Sequence, residues 1–202
     1  MTTWFTSDLH FGHERIIEFC SRPFSNVTEM NMELVHRWNS IVEDSDTVYV
    51  LGDLALGKLN DSLQYASMLR GGKYLVPGNH DRMWSGLPKI QLEKVRWYED
   101  AGFTILPEQY LYRWGQPVHL LLCHFPYVGD SQELDRHVSH RPVDRGDWLL
   151  HGHTHWATAI GPAHPRQIHV GVDAWGYAPV ALETIKGIIE TSTWIDETLG
   201  SG

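Results

Sequence analysis

Five short apolar runs in this chain each end in a polar cluster, and that recurrence constrains the fold more than any other feature. TWFTS (3–7) runs into Asp8-Leu9-His10, TVYVL (47–51) into Gly52-Asp53, and KYLVP (73–77) into Gly78-Asn79-His80-Asp81. HLLLC (119–123) runs into His124, and WLL (148–150) into His151-Gly152-His153-Thr154-His155. Apolar runs this short read as buried strands, TVYVL the clearest because it is rich in β-branched residues. Polar side chains gathered at the carboxyl ends of sheet strands are where α/β proteins build their sites, because rigid strands fix their directions.

Between these runs the spacing alternates. A helix is expected over Glu14–Cys20, ended before Pro23. A second is expected from an N-cap at Thr28 to Val42, with Met30, Leu34, Trp38 and Ile41 on one face. A third covers Leu59–Leu69 and stops at Gly71-Gly72; a fourth covers Pro88–Ala101, with proline in its first turn and Gly102 past its end. Phe103–Leu106 reads as a strand, and Tyr110–Trp114 and Val118–Cys123 as a hairpin through Gly115-Gln116. Residues 125–147 have no clean period and read as a long ordered loop with one helical turn. Ile168–Val172 and Val180–Leu182 read as further short strands, and Glu183–Thr191 as a closing helix. This pattern predicts one α/β domain over residues 1–202 with a mixed sheet.

Composition narrows the function. A net charge of -9 disfavours stable binding to long duplex nucleic acid or an anionic membrane, although bound cations reverse the sign locally. No apolar stretch reaches membrane-spanning length. Only Cys20 and Cys123 are present, and the opening MTTWFTSDLHFGH has no basic segment leading into an apolar run, so a reducing cytoplasm is the expected location.

The clusters offer Asp8, His10, Asp53, Asn79, His124, His153 and His155. Taken singly, each has an ordinary reading as a turn, a polar loop or a core histidine. Seven together, each after an apolar run, suit two divalent ions with positions left for water and substrate. Carboxylate, imidazole and amide ligands suit Mn, Fe, Zn or Ni, with Mn expected to serve in vitro. A structural zinc site would need only four ligands.

The order Asp8-Leu9-His10, Gly52-Asp53, Gly78-Asn79-His80-Asp81, His124, Gly152-His153-Thr154-His155 resembles the calcineurin-like metallophosphoesterases, from residue 8 to about 182. Two blocks depart in detail: Gly52-Asp53 continues Leu54-Ala55-Leu56 instead of reaching another Asp, and His124 follows Cys123 instead of Gly. Neither removes a ligand. The resemblance implies a four-layer sandwich with two central mixed β-sheets flanked by helices. It also implies that Asp8, His10 and His155 hold one ion, that Asn79, His124 and His153 hold the other, and that Asp53 bridges them. Two such ions about 4 Å apart activate a shared hydroxide for in-line attack on phosphorus. His80 is the expected catalytic acid beside the leaving group, with Asp81 orienting its ring.

Candidate substrate contacts are His13, Arg82, Trp84, Arg136, His140 and Arg141. The last three lie in the 125–147 loop, where nearby acidic residues also allow a solvated surface. Trp156 and Trp175 join Trp84 as flat surfaces for stacking a base, or as ordinary packing. His151 reads as structural. The expected activity is hydrolysis of a small phosphodiester, with 2',3'-cyclic nucleotides favoured. A phosphomonoesterase, a nuclease and a non-catalytic scaffold are the alternatives. Scaffold relatives lose ligands, whereas all seven stand here.

Overall fold

The computed structural model describes residues 1–89, 91–114, 119–161 and 163–199. Two mixed sheets flanked by helices form, as expected. In the first, β1 (Thr3–Thr6), β2 (Thr47–Val50), β3 (Gly72–Leu75) and β4 (Phe103–Ile105) run parallel, and β9 (Val180–Ala181) pairs antiparallel with β1. In the second, β6 (Leu120–Cys123), β7 (Trp148–His151) and β8 (Gln167–His169) run parallel, with β5 (Gln109–Tyr112) antiparallel on β6. The hairpin is thus confirmed by its pairing; the turn expected at Gly115-Gln116 lies outside the described residues.

Side-chain alternation explains the layers. Val48 and Val50 of β2 face a core shared with α2 (Val27–Ile41), α3 (Leu59–Ser67) and α4 (Leu92–Asp100). Tyr49 and, just past the strand, Leu51 face the opposite way, onto Leu120, Leu122, Trp148, Leu150 and Ile168 between the sheets. Ile185 and Ile189 of α5 (Leu182–Leu199) join that second core. Cys123 and Leu149 point outward from the second sheet and are covered by Trp84, Phe125 and Tyr127. A short α1 (Arg15–Phe19) follows β1, and the long loop contains one 3-10 turn, Val138–His140.

Several boundaries differ from expectation, among them the closing helix, which runs past Thr191 to Leu199; the starts of two helices have a local cause. Helix α2 is capped by Asn26, whose side chain accepts from the Glu29 N–H at 2.9 Å, while Glu29 accepts from the Ser25 N–H at 2.7 Å; Thr28 lies inside the first turn. Asn caps as well as Thr, and the glutamate three residues on completes the signature from Asn26. Helix α4 starts at Leu92, because the segment before it is a closed loop: Leu87 N–H donates to Trp84 O in a tight turn, and Gln91 N–H donates back to Arg82 O.

Lys73, buried on β3, ties the helix layer to the sheet. Its ammonium donates to the carbonyls of Ala66, Leu69 and Ala101, at and just beyond the ends of α3 and α4. Burial lowers its pKa to about 8. Lys73→Met keeps the volume and strands three buried carbonyls, so unfolding free energy in urea is expected to fall by about 2 kcal/mol. An unchanged urea midpoint would show that the three bonds contribute nothing net.

The parallel strands β1, β2, β3, β6 and β7 all point their carboxyl ends to one edge, where Ser7 bridges to Gly171 and joins the sheets. Every polar cluster of the sequence lies on that edge.

Candidate metal centre

Two groups of side chains meet around Asp53. Its Oδ2 lies 3.5 Å from His10 Nε2 and 3.5 Å from His124 Nε2. On one side, Asp8 Oδ1 is 4.0 Å from His10 Nε2 and 3.9 Å from His155 Nε2. On the other, Asn79 Oδ1 is 3.0 Å from both His124 Nε2 and His153 Nδ1. Asp8, His10 and His155 form one group able to hold a metal ion, and Asp8, Asp53 and His124 another. The seven residues singled out in the sequence are therefore brought together. His10 Nε2 tests the fit: it is buried with no hydrogen-bond partner, aimed between two carboxylates. A buried orphan nitrogen is costly, and a cation there removes the cost.

The backbone is strained at these positions. Eight non-glycine residues have positive φ among those described, and five are Asp8 (59°), His10 (54°), Asp53 (55°), His153 (68°) and His155 (51°). Each costs about 1–3 kcal/mol and persists only where surrounding contacts hold it. Asp8 N–H donates to Gly52 O, His10 N–H to Asp53 O, and His153 N–H to the Asp8 carboxylate. Gly52 has a stricter requirement: at φ 87°, a Cβ there would stand 2.5 Å from His124 Nδ1 and 2.6 Å from Gly78 Cα.

Burial and neighbouring histidines set the charges. Burial, and then His155, hold His10 well below the usual histidine range. Burial and His124 lower His153 to about 4, and burial and His80 lower His13 to about 4. Burial opposes charge on Asp8, but His155, His169, His124 and His10 together keep its carboxyl low. Burial likewise opposes charge on His155, yet Asp8 and Asp173 raise it well above the ordinary value.

A cavity of about 550 Å³ opens over this centre, lined by His10, Asp53, Asn79, His153 and His155. His80 lines it too; its side chain is 40% exposed, with Nε2 3.9 Å from Asp53 Oδ2. His13 and Arg136 are also on the wall, and His13 Nδ1 is 3.4 Å from His10 Nδ1.

Several expectations are corrected. Asp81 does not orient the His80 ring. Its carboxylate accepts from the N–H groups of Asp53 and Gly78 at 2.8 Å and of Leu54 at 3.3 Å, so it holds the turn that carries Asp53. Burial and the Asp53 charge push its pKa up to about 7. Arg82, Trp84, His140 and Arg141 are not on the cavity wall. Trp84 is buried against Phe125 and the His137 and His140 rings, and Arg141 is paired with Asp135 and lies 3.7 Å from Asp130. Trp156 packs on His151 and His169, and Trp175 donates to His169 O, so neither offers a stacking face in the cavity. His151 is fully buried and structural.

Sequence reasoning missed Arg22 and Asp130, and it assigned Asp173 no role. Asp173 carried the same signal as the candidate ligands, a polar residue after an apolar run. Arg22 and Asp130 sit in irregular segments with no period to place them. The apolar wall of Ile16, Phe19 and Leu56 was also missed.

A family model described as calcineurin-like phosphoesterase matches residues 1–157. The gene 66 protein of Mycobacterium phage L5 is 40% identical over 195 residues, covering 86% of this chain and 87% of the phage protein. An uncharacterized protein of Methanocaldococcus jannaschii is 33% identical over 191 residues, covering 91% and 89%. Among solved structures, a protein of unknown function from Aquifex aeolicus superposes with a TM-score of 0.72 at 25% identity, covering 93% of this chain and 98% of that one.

Proposed function

The chain belongs to the calcineurin-like phosphoesterase family, which makes it a metal-dependent phosphoric ester hydrolase, and we propose that its substrates are small phosphodiesters, with 2',3'-cyclic nucleotides among the best. In this reading Asp8, His10 and His155 hold one divalent ion, Asn79, His124 and His153 the other, and Asp53 both. The ions supply activation of the attacking water and neutralisation of phosphoryl charge. Asp53 also accepts the His80 N–H at 2.9 Å, which fixes His80 at the cavity wall to protonate the departing oxygen. Asp81 keeps the Asp53 turn in place.

The charge balance of the cavity wall carries the substrate class. Among the described residues Arg136 is the one arginine on that wall, and its Nε and Nη2 already donate to Asp130 at 3.1 and 2.8 Å. His13, lowered to about 4, is neutral at pH 7. A monoester dianion asks for cationic donors beyond the metal pair, whereas a diester carries one charge and brings a second organic group. Ile16, Phe19 and Leu56 offer that group an apolar wall, the role first expected of the tryptophans. A cyclic diester is compact enough for about 550 Å³, and its ring strain lowers the barrier. No helix among the described residues is long and apolar enough to cross a membrane. With a net charge of -9, long duplexes and membranes are not proposed as partners. Cys20 and Cys123 are free, in keeping with the reducing cytoplasm proposed as its location.

The test is kcat/KM of the Mn2+-loaded protein on bis-p-nitrophenyl phosphate against p-nitrophenyl phosphate, then on 2',3'- and 3',5'-cyclic nucleotides. The diester is expected to be faster. A monoester preference of about tenfold, roughly 1.4 kcal/mol in transition-state binding, would overturn the reading. Rapid cleavage of polymeric DNA with inert cyclic nucleotides would move the assignment to a nuclease.

A further inference from the structure

The two histidines of His153-Thr154-His155 present opposite ring nitrogens to the centre. His155 turns Nε2 toward Asp8 and engages Asp173 Oδ2 through Nδ1 at 2.8 Å. His153 turns Nδ1 toward Asn79 and engages Asp130 Oδ2 through Nε2 at 3.2 Å. Each carboxylate is backed by an arginine. Arg22, its side chain fully buried, donates Nε and Nη2 to the two oxygens of Asp173 at 2.8 and 3.0 Å. Arg136 donates Nε, Nη2 and its backbone N–H to the buried Asp130.

We infer that two separate arginine–carboxylate relays position the two histidines, Arg22–Asp173 for His155 and Arg136–Asp130 for His153, so that one ion site is anchored in the core and the other on the 125–147 loop. The inference rests on the two-ion assignment proposed above. A carboxylate that takes one ring N–H fixes the tautomer and leaves the lone pair on the other nitrogen, facing the ion. Opposite choices of nitrogen let two residues, only two positions apart, serve different ions.

The anchors differ in kind. Arg22 also donates to the carbonyls of Asp8 and Leu9, at 2.8 and 3.2 Å, so the same side chain holds the strained Asp8-Leu9-His10 turn. That relay is built into the junction of the sheets, where Asp173 follows β8 and Val172 N–H donates to Ser7 O. Asp130 and Arg136 both come from the loop, and Arg136 lines the cavity. The second ion and the loop are thereby linked, and linkage is reciprocal: whatever orders the loop tightens the ion, and the ion orders the loop.

The experiment uses the full chain, stripped of metal and titrated with Mn2+ by calorimetry and electron paramagnetic resonance. These separate an isolated ion from a spin-coupled pair. Wild type must first bind two ions; a single ion there would overturn the two-ion assignment itself, separately from the relays. Asp130→Asn is expected to keep one site at wild-type affinity and weaken the other by about 10 to 100-fold, leaving an isolated-ion spectrum at two equivalents. Asp173→Asn is expected to weaken the opposite site. In a His153→Ala background Asp130→Asn should cost nothing further, because its target is gone. Hydrogen exchange over residues 130–141 should slow when the second ion binds, and this protection should vanish in Asp130→Asn. Equal weakening of both sites, no weakening, or a full Asp130→Asn effect persisting without His153 would overturn the inference. Should Asp173→Asn fail to fold with Arg22 unpaired, the Asp130 arm and its cycle still decide whether relays act on one ion at a time.

Discussion

Asp53→Ala is expected to release both ions and to lower kcat/KM by at least about 10^3-fold, the scale of losing metal activation of water near neutral pH. No other single ligand change should lose as much metal. The reason is the position of one oxygen: Asp53 Oδ2 lies 3.5 Å from His10 Nε2 on one side and 3.5 Å from His124 Nε2 on the other. Asp8, by contrast, faces His10 and His155, and Asn79 faces His124 and His153, so their removal dismantles one side first. Elemental analysis of metal-saturated protein measures the result, with His155→Ala as the one-sided comparison. Retention of as much metal in Asp53→Ala as in His155→Ala would remove the bridging role. Asp53→Asn separates the two functions of the residue, because the amide oxygen still accepts the His80 N–H while the charge is gone.

The candidate ligand set was legible because it uses two signals that survive in one dimension. Strand-end position sets where Asp8, Asp53, Asn79, His124 and His153 emerge, and the ligand types share a chemistry. The sheet edge that gathers them follows from parallel strands pointing the same way. What the sequence hid is what the third dimension decides. Asp81 stands beside His80 in the chain, yet its carboxylate turns inward to three N–H groups of neighbouring turns. Trp84 follows the same block but is drawn into the outer core by Phe125. Arg22 and Asp173 are 151 residues apart and meet only because β8 ends beside β1. The 125–147 loop has no hydrophobic period, so the facing of Arg136, His140 and Arg141 could not be read. Asp130 decides it by drawing in the two arginines, and only Arg136 reaches the cavity.

His80→Ala is expected to leave both ions bound and to lower kcat by about 10^2 to 10^4-fold, the range of a lost general acid. His80 differs from the candidate ligands around it in the ways an acid should. Its side chain is 40% exposed on the cavity wall, whereas His10 and His124 are buried at 2% and 0%. Its backbone φ is not among the strained values, and it is held instead by its N–H on Asp53 Oδ1, so removing the ring leaves the Asp53 carboxylate in place. An acid acts only as strongly as the leaving oxygen needs a proton. The loss should therefore be large for an alkoxide leaving group and shrink for p-nitrophenolate, which departs with little protonation. Measured at the chemical step, an equal loss for both leaving groups would make His80 a positioning residue. Asp81→Asn supplies the contrast. That carboxylate braces the turns of Asp53 and Gly78, so its replacement should lower thermal stability and metal content and slow good and poor leaving groups alike. A leaving-group dependence in Asp81→Asn that matched His80→Ala would restore the coupled His80–Asp81 acid that the hydrogen bonds of Asp81 argue against.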